Sequence, residues 1–133
     1  MKEIRVSAGI ILSDNRILCV QRGKGKFDYI SYKYEFPGGK IEGEENPKDA
    51  LMRELLEEMD MEIIPDSMEH FMTVHHTYPD FQIEMHAFLC PVEDPRFTLL
   101  EHIDFQWLPS DRLHELDWAG ADWPIVDKLK NMR

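Results

Sequence analysis

The stretch that decides the reading is GGKIEGEENPKDALMRELLEEMDM, residues 38–61. Its second half has helical punctuation: Asn46 suits an N-cap, Pro47 the first turn, and Asp49 lies near the positive N-terminal end. At 100° per residue, Leu51, Leu55, Met59, Met52 and Leu56 fall on one continuous arc, the expected core face. Glu54, Glu57 and Glu58 share a neighbouring arc about 100° wide, because their spacing is i, i+3 and i+4. Ala50, one turn earlier on that arc, leaves room above the carboxylates. Arg53 lies between Asp49 and Glu57 at i±4 and can pair with either. Like charges at this spacing destabilise a helix by roughly 0.2–0.5 kcal/mol per pair, and one arginine relieves only part of that. A solvated acidic face is the plain reading. Oxygen ligands converging on one side are also what a hard cation such as Mg²⁺ prefers.

The wider run favours the second reading. Gly39, five residues, Glu45, seven residues, then Arg53-Glu54-Leu55-x-Glu57-Glu58 resembles the signature box of the Nudix hydrolases. Its later glycine is replaced by Asp60, a residue that tolerates the left-handed helix-ending conformation better than most. The box spans Gly39 to Met61, and weaker likeness extends through YEFPGGK (34–40) and LDWAGADWPIVDKL (116–129). Those flanks look most like the MutT-type nucleoside triphosphate pyrophosphohydrolases, including the CTP-directed branch.

The resemblance implies an α/β (α+β) Nudix fold, a mixed β-sheet sandwiched between helices. It also implies Mg²⁺- or Mn²⁺-dependent hydrolysis of a (deoxy)nucleoside triphosphate, oxidised or modified in some members, to the monophosphate and pyrophosphate. By the same match Glu54, Glu57 and Glu58 would bind metal with the Gly38 carbonyl, while Arg53 would orient Glu57 or its neighbour and Glu45 would brace the loop. Glu101 occupies the place of a further acidic ligand. The general base stays open among Glu54, Glu57 and Glu101. Lys40 and Arg22 are candidate phosphate or base contacts, set against plain surface cations. Tyr34 and Phe36 are candidates for the nucleotide-pocket floor, set against core packing. Asp122 stands where the resemblance puts a base-reading residue, and it also suits the N-cap of the last helix. Alternatives within the family are ADP-ribose, a nucleoside-diphosphate sugar or a dinucleoside polyphosphate as substrate. A nucleotide-binding module without activity should lose box carboxylates, and all are present here.

The rest of the chain sets bounds. Its 133 residues suit a single domain over 1–133, and 43% hydrophobic content supports a packed core. With 26 acids against 15 bases the formal charge is −11, which argues against nucleic-acid polymers and anionic membranes as partners. A small nucleotide remains compatible if metal ions or local cations reverse the field. Cys19 and Cys90 sit in apolar runs and read as reduced core residues. No run approaches a membrane span and the start does not read as a signal peptide, so the expectation is a cytoplasmic protein, monomer or homodimer. His75, His76 and His86 lack zinc-like spacing, and Trp107, Trp118 and Trp123 read as packing.

Strands are expected at about 3–12 and 16–21 around an SDNR turn, then a loop into a short strand near YEF. PGG (37–39) reads as a turn. Two paired strands flank Pro79-Asp80, another covers IDFQWLP (103–109), a short helix covers PSDRLHEL (109–116), and a final helix begins at Asp122.

Overall fold

Ile10 and Ile11 are neighbours on one strand and both are completely buried. Consecutive strand side chains point to opposite faces, so this strand must be covered on both sides. The computed structural model, which describes residues 1–132, shows how. The elements are β1 (Lys2–Ser13), β2 (Arg16–Gln21), β3 (Tyr34–Glu35), β4 (Gly38–Lys40), α1 (Pro47–Met59), β5 (Glu69–Thr77), β6 (Phe81–Pro91), β7 (Asp104–Leu108) and α2 (Trp123–Lys130). Ile11, Leu18, Val20, Phe88 and Cys90 pack with Leu51, Leu55 and Met59 of α1. Ile10, Ile17, Cys19 and Ala87 pack with Ile125, Val126 and Leu129 of α2. The expected sheet between helices is what forms. Both cysteines are free, and burial pushes their thiols up to about 12.

The sheet is mixed. β1 runs parallel to β6 from Lys2↔Phe81 to Leu12↔Pro91, and β5 pairs antiparallel with β6. β1 and β2 form a hairpin whose turn places Asp14 and Asn15 at positive φ, as a tight two-residue turn demands. Their pairing is limited to Leu12↔Ile17 and Ser13↔Arg16, after which the strands splay. The segment 34–40 enters the gap: β3 pairs with β2, and β4 pairs with β1 from Ala8↔Gly38 to Val6↔Lys40. β7 takes the other edge of β2.

Several expectations change. PGG is a strand entry rather than a turn, because the Pro37 carbonyl accepts from Gly9 N at 2.7 Å and the glycines continue that ladder. A Cβ at Gly38 would collide with the Ser7 carbonyl oxygen, so a side chain there is incompatible with the ladder. On α1 the buried residues are Ala50, Leu51, Glu54, Leu55 and Met59, whereas Leu56 is 50% exposed. The helix is thus turned by about 80° toward its glutamates compared with the apolar arc. The 109–116 helix reduces to one turn at Leu113–Glu115, which leaves two α-helices among the described residues. Residue 133, the end of the expected domain, lies outside the described residues. No described helix is long and apolar enough to cross a membrane.

Both ends of α1 match their sequence signals. Asn46 Oδ1 accepts from Asp49 N at 2.9 Å, a cap worth about 1 kcal/mol. Asp60 ends the helix at φ 50°, ψ 35°, with its N–H directed at the Leu55 and Leu56 carbonyls. Asp60→Gly is therefore expected to raise stability by roughly 0.5–1 kcal/mol, and Asp60→Val to lower it. The check is a shift of the urea midpoint at unchanged slope. A lower midpoint for the glycine variant would mean that the aspartate carboxylate offsets its own backbone strain.

Candidate active site

Arg53 points along the N-terminal side of α1 with 23% of its side chain exposed, and each of its five N–H groups has an acceptor. Nε and Nη2 donate to the two oxygens of Glu45 at 2.8 and 2.9 Å. Nη2 also donates to the Lys40 carbonyl at 3.0 Å, and Nη1 donates to Glu54 at 2.9 Å and Glu57 at 3.2 Å. Arg53 thus orders both Glu54 and Glu57, where the sequence left one or the other. The forked pairing holds the Glu45 carboxyl down at about 2, helped by the backbone N–H of Glu42. Glu45 in turn ties the 42–45 turn to the helix.

Glu54 is 9% exposed and lies against β4; a Cβ on Gly39 would land in its carboxylate. Ser7 on β1 donates to the Pro47 carbonyl at 2.7 Å, which seats the start of α1 beside the same strand. Glu58 is half-buried, while Glu57 faces outward with 60% of its side chain exposed. Burial first, then the neighbouring Glu54 and Glu101, push the Glu58 carboxyl up to about 9. Glu101, on the β6–β7 connection, is exposed on the rim of the same group. That connection is stitched to the end of α1 by Thr98 N to Met59 O at 2.9 Å and Leu100 N to Glu58 O at 3.3 Å.

Glu54, Glu58 and Glu101 form one end of a cleft of about 780 Å³ that opens where β1 and β2 separate. Gly38 and Gly39 line it beside them, with Lys40 exposed at the edge. Arg22 lines the opposite wall, with Nη1 at 3.2 Å from Glu35 Oε1. Asp122 closes the far end. It does not cap α2: its carboxylate turns inward and accepts from Phe36 N at 3.0 Å. Only 4% exposed, it has its carboxyl raised well above the ordinary range by burial, then by the charge of Glu35. Phe36 stacks on Trp118 with ring centroids 4.6 Å apart and still contributes to the wall. Tyr34 does not join the group. It is buried against Trp118, donates its hydroxyl to Asp104 at 3.2 Å, and accepts from Gln106 Nε2 at 3.3 Å.

Two residues at this end escaped the sequence reading. Glu35 was passed over between its aromatic neighbours, although an acid within YEF just before a strand ladder is an oddity that could have marked it. His102 Nε2 lies 2.8 Å from Glu35 Oε2, and its neighbour Glu101 was the only available signal.

With this geometry in view, the profile of the NUDIX domain family matches residues 3–129. The chain belongs to the NUDIX domain family. An "8-oxo-dGTP diphosphatase" of Escherichia coli strain K12 is 30% identical over 99% of this chain and 100% of its own length. A "CTP pyrophosphohydrolase" of the same strain is 31% identical over 100% of this chain and 96% of its own. The solution structure of a MutT protein from methicillin-resistant Staphylococcus aureus 252 is 38% identical, with a TM-score of 0.74 and 98% of each chain covered. The protein is thus a Nudix hydrolase acting on acid anhydrides of phosphorus, a class that generally uses a divalent metal.

The site fits such an ion. Burial and the neighbouring Glu54 and Glu101 raise the Glu58 carboxyl, and the arginine beside them is fully engaged. A cation held there would offset that repulsion. Among the described residues no group of three or more His, Cys, Asp or Glu side chains is already arranged to hold an ion.

This crowding has a pH signature. The folded-state carboxyl of Glu58 sits above its unfolded value of 4.5, so the metal-free fold binds the extra proton and loses that stability as pH rises toward 9. Glu58→Gln should flatten the decline in melting temperature between about pH 5 and pH 9 in the presence of chelator, relative to wild type. The same variant should lose most of the melting-temperature gain that divalent metal confers on wild type. Parallel pH curves for the two proteins would show that the carboxyl is not crowded.

Proposed function

We propose that this protein is a Mg²⁺- or Mn²⁺-dependent pyrophosphohydrolase that converts a nucleoside triphosphate bearing an amino group on its base, cytosine foremost, to the monophosphate and pyrophosphate. It acts as one domain on free nucleotides in the cytoplasm. The observation that carries the reading is the cleft's polarity: an acid cluster beside Arg53 at one end, and a buried Asp122 beside Glu35 at the other.

Glu54, Glu57, Glu58 and Glu101 with the Gly38 carbonyl are the proposed metal ligands. A bound divalent ion neutralises the polyphosphate and lowers the pKa of a coordinated water. The chain's own residues do the rest. Arg53 holds Glu54 in place, so little reorganisation is left for the moment of reaction. The attacking water forms a new oxygen–phosphorus bond as the anhydride bond breaks, and its proton passes to a carboxylate. Glu54 and Glu101 line the cleft, whereas Glu57 faces out in the grip of Arg53, so the proposed base is one of the first two. Lys40 stands at the edge of the cleft as a cation for the phosphates, within a chain of net charge −11, while Arg22 pairs with Glu35 toward the base end. At the far end Asp122, whose carboxyl burial raises well above the ordinary range, offers an acceptor and, when it carries a proton, an O–H as well; Glu35 offers acceptors. That pattern complements a Watson–Crick edge with an amino donor beside a ring-nitrogen acceptor, which cytosine and adenine present, whereas guanine's amino group stands there beside an N–H donor. The relative that is a "CTP pyrophosphohydrolase" supports cytosine, and the "8-oxo-dGTP diphosphatase" relatives make an oxidised purine the second substrate to try.

The test is a chromatographic product assay, with and without Mg²⁺. It compares CTP, dCTP, modified dCTPs, the other nucleoside triphosphates, 8-oxo-dGTP, ADP-ribose and a dinucleoside polyphosphate. Metal-dependent release of monophosphate and pyrophosphate from the cytosine compounds, reduced on the order of a hundredfold or more in Glu54→Gln, is the expected result. Cleavage of 8-oxo-dGTP alone would overturn the base assignment and keep the reaction. Cleavage confined to the last two compounds, or binding without cleavage, would overturn the reaction as well.

A further inference from the structure

His102 is buried to 6% of its side-chain surface yet belongs to the cleft lining. Its Nε2 faces Glu35 Oε2 at 2.8 Å. A carboxylate oxygen accepts, so Nε2 carries the hydrogen in this bond, and the other ring nitrogen is Nδ1. Among the described residues, that Nδ1 is the fully buried side-chain polar atom with no hydrogen-bond partner. Burying it carries a desolvation cost that an apolar residue would avoid, so stability alone gives no reason for a histidine here.

What the histidine does supply is the second of two opposed clamps. Arg22 holds Glu35 Oε1 at 3.2 Å from the β2 side, and His102 holds Oε2 from the β6–β7 connection. The connection is itself anchored, with Ile103 N donating to Gln21 O at 3.0 Å. Glu35 sits on a strand of two residues, too short to fix a long side chain by packing alone. With one donor on each oxygen, the carboxylate plane is set and a lone pair on each oxygen stays free. Asp122 lies close enough for the charge of Glu35 to act on it.

We infer that His102 is a positioning residue for base selectivity: it fixes the Glu35 carboxylate in the one orientation that accepts from the amino group of the base. The inference rests on the base-end assignment made above. His102 acts through Glu35, the partner its side chain hydrogen-bonds, rather than through any carboxylate of the acid cluster. Its loss therefore weakens and blurs base recognition without disturbing metal binding.

Nucleoside monophosphates test this directly, since they occupy the base end without the polyphosphate. Calorimetric titration of CMP, dCMP, AMP, UMP and GMP is compared for wild type, His102→Leu, His102→Gln, Glu35→Gln and the Glu35→Gln/His102→Leu double variant. His102→Leu should weaken the preferred monophosphate on the order of tenfold and leave the non-preferred ones within about twofold. His102→Gln, whose amide nitrogen reaches the position of Nε2, should recover most of the loss. In the Glu35→Gln background His102→Leu should add nothing further. Mn²⁺ affinity, read by electron paramagnetic resonance, should match wild type throughout.

An equal loss for every monophosphate, or an undiminished effect without the Glu35 carboxylate, overturns the inference. A wild type that discriminates among bases while His102→Leu discriminates equally well overturns it alone. A wild type that binds all five monophosphates alike overturns the base-end reading and the inference with it. Should His102→Leu fail to fold, His102→Asn beside His102→Gln gives the same contrast. Only the longer amide reaches Glu35, and equal discrimination by the two would count against the proposal.

Discussion

The guanidinium of Arg53 is the constraint on which the site depends. It is planar, has five donors in a fixed fork, and spends all five: two on Glu45, one on the Lys40 carbonyl, one each on Glu54 and Glu57. One side chain therefore joins the strand end at Lys40, the turn braced by Glu45, and the acidic face of α1. A lysine could not do this, since its ammonium has three donors and no fork. Gly39 completes the arrangement by removing the one atom that would stand where the Glu54 carboxylate lies. In a chain with an excess of eleven acids over bases, this single cation is placed where it orders three carboxylates, and Glu58 and Glu101 remain to be balanced by something else.

The second constraint is geometric. β1 and β2 leave their hairpin and separate after two pairs, and residues 34–40 pass from one strand edge to the other. The split is bridged by backbone pairing, with β4 on Val6–Ala8 of β1 and β3 on Val20 and Gln21 of β2. The same crossing sets the polarity of the cleft. Gly38 and Gly39 bring backbone up to the acids, and Glu35 and Phe36 bring a carboxylate and an aromatic wall to the far end, where Phe36 N meets Asp122. The acid cluster and the Glu35–Asp122 end of the cleft are thus both reached by one segment, residues 34–40, so covalent geometry limits the distance between them.

Much of this was legible in the residues. Asn46, Pro47 and Asp60 mark the ends of α1 by local backbone chemistry, and local chemistry is the same in a sequence as in a fold. The 12-residue β1, its hairpin and the β5–β6 pair follow from alternation and turn residues. Leu56 misled because an amphipathic arc shows which residues can be buried, not how far the helix is rotated when a sheet meets it. Here the buried seat of Glu54 on β4 sets the rotation and leaves Leu56 half in water. Asp122 misled for a related reason. Its local sequence is that of an N-cap, but a buried backbone N–H on Phe36, 86 residues away, claims the carboxylate.

The sequence by itself determined the family box, the helix that carries it, the sheet between two helices and the acid-rich character of the reaction centre. Each of these depends on spacing along the chain or on the hydrophobicity of nearby residues. Only the tertiary structure decided that Arg53 serves three glutamates at once, that Tyr34 belongs to the core, and that Glu35 is clamped between Arg22 and His102. The clamp joins residues 13 and 67 positions apart, and the mixed sheet and its connections bring them together. Spacing along the chain has no term for such a contact; a shared burial site does.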